Sequence, residues 1–291
     1  MEGYEELGEL GRGAFGKVVK ARHIASDKLY ALKFLSFDAA EAELKPMTSL
    51  PAHPNLVAYV DSFRIKATGW TSLFRKYGLS CIVMEYCNCG NLNTYVLEED
   101  PNSSTKLRLS RQIASAVKFL HQNGVVHRDL KPDNIMITHD KSNVNLKVGD
   151  FGVAKMVTES EFDGELRSYY MGTAQGTQLF MAPDVFDGCY TEKADVFSMG
   201  LVYAAMWSGQ SLVWRDKCFL AVIAQLDGAY LAIGKAMQEG KLDTYVMAGK
   251  PRKVPNYMRK LVTRMTAKCH QDRPSAAQVD HMLHSMHCNI L

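Results

Sequence analysis

The first residues able to do chemistry are Gly11-Arg-Gly13-Ala-Phe-Gly16-Lys-Val18. Glycines at this spacing let a backbone approach phosphates closely, with N–H groups free to donate to their oxygens. Dinucleotide-binding turns share the spacing, but a helix must follow them. Here Val18-Val-Lys-Ala21 continues as a strand, which argues against that reading. Lys33 comes next, closing the apolar run Tyr30-Ala-Leu-Lys33. Alone, such a lysine is an exposed edge residue. At this distance behind a glycine loop it is placed to bind the α- and β-phosphates of a nucleotide, and it needs a carboxylate partner to hold it.

Two later runs carry more: His127-Arg-Asp129-Leu-Lys131-Pro-Asp133-Asn134 and Asp150-Phe-Gly152. In this order and company the chain resembles the protein kinase superfamily, serine/threonine type. The resemblance implies that Asp129 orients a substrate hydroxyl and accepts its proton. It implies that Lys131 neutralises charge on the moving phosphoryl group, and that Asn134 and Asp150 hold Mg2+ against the phosphates of ATP. The physical demand is that a transition state with negative charge spread over its oxygens be stabilised without covalent help. Lys131, two residues past Asp129, and Gly176-Thr177, ahead of Met181-Ala-Pro183, match serine/threonine rather than tyrosine kinases.

By the same resemblance, Glu85-Tyr86-Cys87 is the hinge, and adenine bonds the backbone carbonyl of Glu85 and the N–H of Cys87. Leu10, Val18, Ala31, Met84 and Met136 wall the pocket, with Met84 gating it. Asn91 stands where many relatives carry an acid that reaches the ribose. Asp184 replaces the family's glutamate opposite Arg273, and the shorter side chain is expected to loosen that pair. Asp195 is expected to anchor the catalytic-loop backbone. Thr173 sits where many relatives are phosphorylated, with Arg128 as receiver, and Ser168, Tyr169 and Tyr170 are further candidates. Asp133 adds an acid that would favour a basic residue upstream of the target. Gly172-Thr-Ala and the run from Asp184 to Asp195 resemble kinases that bind PDZ-and-LIM cytoskeletal proteins.

The partner of Lys33 is the weakest match. Glu43 is in register with the family's helix, whereas Glu41 lies roughly 200° around it and faces elsewhere. Pro46 follows closely and is expected to kink the helix or end it early. The bland alternative is a solvent-exposed glutamate on a mobile helix.

These groups need a frame. The segments Phe15–Ala21, Leu29–Leu35, Leu56–Phe63 and Ser80–Tyr86 read as strands, the first two as a hairpin, with a short helix over Ala39–Leu50. After Gly90 the pattern turns helical: Leu109, Ile113, Ala116, Val117 and Leu120 share one face, and Asn123-Gly124 is a stop. Ala194–Trp207 is apolar nearly all round, hence buried. Amphipathic helices are expected over Tyr257–Lys268 and Ser275–Met286. The expected fold is α+β and bilobal, a kinase domain over residues 4–283. Its β-rich N-lobe (4–86) carries one helix, and a larger helical C-lobe (87–283) follows, with the cleft at the join.

Composition excludes little but usefully. The 291 residues carry a net charge of +3, spread along the chain, which gives no reason to expect nucleic acid or an anionic membrane as partner. The denser basic stretch from Lys250 to Lys260 reads as a solvated face. Seven cysteines without a Cys-x-x-Cys pair read as reduced thiols in an intracellular, cytoplasmic or nuclear protein. The N-terminus lacks the pattern of a signal peptide, and no apolar run approaches a membrane span. A protein substrate and ATP are the expected partners. The rival reading is a pseudokinase scaffold, which would ordinarily lack Lys33, Asp129 or Asp150. A small-molecule kinase fits poorly with Met181-Ala-Pro-Asp184 and Arg273, which build a platform for polypeptides.

Overall fold

The computed structural model describes residues 3–13, 16–65, 79–140, 143–156, 177–214, 216–226, 228–247 and 254–286. Five antiparallel strands form the first sheet: β1 (Tyr4–Gly13), β2 (Gly16–His23), β3 (Leu29–Ser36), β4 (Tyr59–Ile65) and β5 (Leu79–Glu85). Their spatial order is β1-β2-β3-β5-β4. β5 is paired on both edges, and its run Ser80 to Met84 is buried throughout, as a strand covered on both faces requires. Val19, Ala21, Leu32, Cys81 and Val83 form one small cluster under Tyr4, Tyr30, Phe34 and Phe63. Leu35, Ile82 and Met84 join instead the core that continues into the helical lobe. One sheet thus serves two apolar layers.

The helix α1 (Phe37–Ser49) is opened by Ser36, whose hydroxyl accepts from the Ala39 N–H. Of the two outcomes expected at Pro46, a kink or an early end, the early end does not occur. Pro46 is buried, and the carbonyls of Leu44 and Lys45 accept from the hydroxyls of Thr48 (2.9 Å) and Ser49 (2.9 Å). The helix continues past Pro46 with its ring packed inside and these hydroxyls bonded to carbonyls of the last turn. The strand expected from Leu56 starts later, at Tyr59. Leu56 forms only an isolated parallel bridge to Val148. That bridge matters, because Val148 N–H donates to Asn55 O (2.8 Å) and Val57 N–H to Val148 O (2.9 Å). The loop after α1 is thereby tied to the strand that delivers Asp150.

The second lobe holds α2 (Leu92–Glu99), α3 (Ser103–Gln122), α4 (Pro183–Phe186), α5 (Glu192–Ser208), α6 (Ile233–Gln238), α7 (Asn256–Met265) and α8 (Ala276–Ser285). Short strand pairs complete it: β6 (Val125–Val126) with β9 (Lys155–Met156), and β7 (Ile135–Asp140) with β8 (Asn143–Val148). Two hairpins that the sequence pattern did not announce lie between α5 and α6. They are β10 (Ser211–Trp214) with β11 (Lys217–Leu220), and β12 (Ile223–Leu226) with β13 (Ala229–Ala232). Leu109, Ile113, Ala116, Val117 and Leu120 of α3 are fully buried, as their spacing requires. α5 is buried all along from Ala194 to Trp207. Its polar atoms are paired: Tyr203 OH donates to Ser110 O (2.6 Å) and Trp207 Nε1 to Ser110 Oγ (3.1 Å).

Asp184 and Arg273 meet at 2.5 Å, so the shorter acid does not loosen the contact. Its cost falls elsewhere, since Asp184 Oδ2 is buried with no hydrogen-bond partner among the described residues. Arg273, fully buried, also donates from Nε to Ala267 O (2.8 Å) and from Nη2 to Lys268 O (2.9 Å). Removing one partner of such a pair strands the other charge. Arg273→Ala is expected to lower unfolding stability by about 3–5 kcal/mol. Urea denaturation checks this, and a loss below about 1 kcal/mol would contradict the assignment.

Candidate functional site

A cleft of about 480 Å³ opens between the sheet and the helical lobe. Leu10, Gly11, Gly16, Val18 and Ala31 line it from β1 to β3, and Met84, Glu85 and Cys87 line it where β5 ends. Met136 on β7 closes the opposite wall. The apolar residues expected around adenine therefore share one cavity. Gly13 pairs with Gly16 at the end of the β1–β2 hairpin. A Cβ on Gly16 would lie 1.8 Å from Phe34 O, so only glycine permits this approach of β2 to β3.

Lys33 Nζ lies 2.7 and 2.6 Å from the two carboxylate oxygens of Glu43 and 2.8 Å from Asp150 Oδ1. Lys33 and Glu43 are buried, and Asp150 is partly open to the cleft. Of the two glutamates weighed for this role, α1 brings Glu43 to the lysine and leaves Glu41 exposed. Burial opposes the charge on Lys33, but Asp150 and Glu43 outweigh it and hold the ammonium above the usual lysine range. Burial also works against ionised Asp150, yet Lys33, with Lys131, draws its carboxyl below the usual range. Glu43 is pushed up by burial, which Lys33 offsets only in part.

The segment after β6 holds the second group. Lys131 Nζ donates to Asp129 Oδ2 at 2.8 Å. Asn134 Nδ2 donates to Asp129 O (2.8 Å) and to Asp129 Oδ2 (3.0 Å). Both bonds use the amide nitrogen, which leaves the Asn134 side-chain oxygen as a donor atom for a cation. Burial raises Asp129 above the usual aspartate range, and Lys131 counters part of that rise. His127 Nδ1 accepts from the Asp129 N–H (3.3 Å), so the ring proton sits on Nε2, directed to Gly149 O (3.0 Å). One imidazole thus ties the Asp129 segment to the Asp150 segment.

Arg128 and Asp150 adopt positive φ values of 70° and 63°. Non-glycine residues persist there only when their surroundings enforce it. Asp195, fully buried on α5, accepts from the backbone N–H groups of His127 (2.8 Å) and Arg128 (2.8 Å). Tyr190 OH donates to Arg128 O at 2.6 Å, and Lys33 holds Asp150. His121 Nε2 also reaches Asp195 Oδ2 at 2.9 Å. Sequence reasoning found Asp195 but missed Tyr190 and His121, whose spacing from the loop they support carries no local signal. It also missed Val57 and Gly149 in the cleft wall, although a Cβ on Gly149 would lie 2.8 Å from Val57 Cγ2.

Asn91 lines the cleft as the N-cap of α2, and its oxygen accepts from Thr94 N–H (3.0 Å) and Thr94 Oγ1 (2.7 Å). Thr173, Gly176, Ser168, Tyr169 and Tyr170 lie outside the described residues. Among the described residues, no three His, Cys, Asp or Glu side chains cluster into an all-protein metal cage. Asp150 and Asn134 instead offer a few hard oxygen donors beside a cavity, the arrangement that suits a Mg2+ completed by water and phosphate oxygens. Three carboxylates (Glu43, Asp129 and Asp150) face two ammonium groups (Lys33 and Lys131), so the charge balance also favours an added cation.

The protein kinase domain family matches residues 4–284. The chain is 32% identical over 219 residues to the interferon-induced, double-stranded RNA-activated protein kinase of Rattus norvegicus, covering 70% of this chain and 40% of that protein. It is 28% identical over 291 residues to serine/threonine-protein kinase Nek3 of Oryza sativa subsp. japonica, covering 96% of this chain and 43% of that protein. It is 31% identical over 214 residues to the probable serine/threonine-protein kinase zyg-1 of Caenorhabditis briggsae, covering 71% and 27% respectively. The chain spans less than half the length of each of these relatives. With the bilobal fold, the paired Lys33 and the family match over nearly every residue, the chain belongs to the protein kinase domain family.

Proposed function

We propose that this chain is an ATP- and Mg2+-dependent kinase that phosphorylates serine or threonine hydroxyls of protein substrates. The observation that carries the reading is Lys33 bridging Glu43 and Asp150 in the wall of a cleft that Asn134 also lines, 3.0 Å from Asp129. In this reading the walls from Leu10 to Met136 hold adenine, and the backbone of Glu85 and Cys87 bonds its edge. Lys33 draws the α- and β-phosphates toward the site. Asp150 and Asn134 hold Mg2+, which when bound neutralises charge on the phosphate oxygens. Asp129 aims the incoming hydroxyl and takes its proton, while Lys131 offsets the charge that develops nearby. An intracellular setting, a preference for basic residues upstream of the target through Asp133, and a place among kinases that bind PDZ-and-LIM proteins are finer parts of the proposal. They rest on the sequence.

Radiolabelled phosphate transfer to a generic basic protein tests the reading. Wild type is expected to transfer label to serine or threonine, and Asp129→Ala to lose about 10²–10⁴-fold in turnover. Equal labelling by the two proteins, or none by wild type with Mg2+ and ATP present, would favour the non-catalytic scaffold.

The pH profile gives a separate check. Asp129 works ionised, so turnover is present above its pKa and lost as pH falls through it. Lys131 lowers that pKa against the effect of burial. Lys131→Ala is therefore expected to move the acid limb of the kcat profile to higher pH, beyond any loss in the plateau. An unmoved limb would contradict the coupling.

A further inference from the structure

Glu85 is the last residue of β5 and is held at several points. Its N–H donates to Ala58 O (3.0 Å), and it stands opposite Tyr30 in the β3–β5 register. Its side chain leaves the sheet altogether. Lys147 Nζ, on β8 of the other lobe, lies 2.8 Å from Glu85 Oε1, with both groups largely shielded. Lys147 stands opposite Met136, the residue that closes the cleft, and precedes Asp150 by a short step along the chain. The next hinge residue is gripped from above, where Lys20 Nζ on β2 sits 4.8 Å from the centre of the Tyr86 ring. Just beyond, Cys89 N–H donates to Ile137 O (3.1 Å) and Ile137 N–H to Gly90 O (2.8 Å), which fastens the chain to β7.

We infer that Lys147 is a positioning residue for the nucleotide: its ion pair with Glu85 fixes the segment Glu85–Cys87 in the orientation that meets the adenine edge. The inference rests on the kinase reading above and adds a residue outside the nucleotide's reach. A segment free to turn about the end of β5 must be ordered each time a base binds, and that ordering subtracts from affinity. With the Glu85 carboxylate tied to β8, the segment is ordered beforehand. The same strand carries the approach to Asp150, so adenine and phosphate ends of the cleft share one rigid reference.

The test measures adenosine binding by calorimetry together with KM for ATP and kcat. Lys147→Met is expected to weaken adenosine binding and raise KM for ATP by about three- to tenfold. Turnover at saturating ATP should stay within about twofold, and Lys147→Arg should restore affinity, because it keeps the ion pair. A purely structural lysine would instead lower melting temperature and kcat without this split. Should Lys147→Met lose its cooperative melt, Glu85→Gln asks the same question from the other partner and is expected to weaken adenosine binding likewise. Wild-type adenosine affinity retained in a folded Lys147→Met or Glu85→Gln protein would overturn the inference alone. Failure of the wild type to bind any adenine nucleotide would overturn the kinase reading, and this inference with it.

Discussion

Burying an ammonium between two carboxylates is costly, because each charge loses water that a partner must replace. At Lys33 the replacement is close: Glu43 engages it with both oxygens and Asp150 with one. The three groups come from β3, from α1 and from the segment behind β8, so their meeting fixes the small sheet, its helix and the second lobe relative to one another. A displacement of α1 would take from Lys33 the carboxylate that engages it with both oxygens. That dependence makes the lobe arrangement and the chemistry a single problem. The loop after α1 reinforces it through the bonds of Asn55 and Val57 to Val148.

The second lobe supplies a fixed base for the segment carrying Asp129. α5 is buried on all sides, and Asp195 on it accepts two backbone N–H groups that no helix or strand satisfies. Burial disfavours the charge of Asp195, but the bond to His121 and the contacts of His121 and His127 together outweigh this and hold the carboxyl below its usual range. An ionised acid in the core stabilises positive φ at Arg128, and through it the position of Asp129. Stability and site geometry are joined here by the same carboxylate.

Much of this was legible because the chemistry needs particular residue types at short spacings. Lys131 and Asn134 lie within a few residues of Asp129, and all three converge. Buried helices such as α3 and α5 announced themselves by period and by continuous apolarity. Other features escaped for physical reasons. β1 contains Gly8, Gly11 and Gly13, which weaken any strand signal, and is made a strand by pairing with β2. Pro46 argued against a continuous helix, yet its burial in α1 and the hydroxyls of Thr48 and Ser49 override local preference. The hairpins from Ser211 to Ala232 are short strands whose pairing is set by tertiary context. Tyr190, His121 and Lys147 act through contacts across long stretches of sequence, where spacing is silent.

In the kinase reading the buried Lys33 acts on the phosphates and not on the fold of the pocket. The most direct measurement compares wild type and Lys33→Met for turnover with Mg2+ and ATP, and for adenosine affinity by calorimetry. Turnover is predicted to fall by about 10²-fold or more, because a preorganised positive charge is lost, while adenosine binds within about twofold of wild type. Turnover equal to wild type in Lys33→Met would contradict the account.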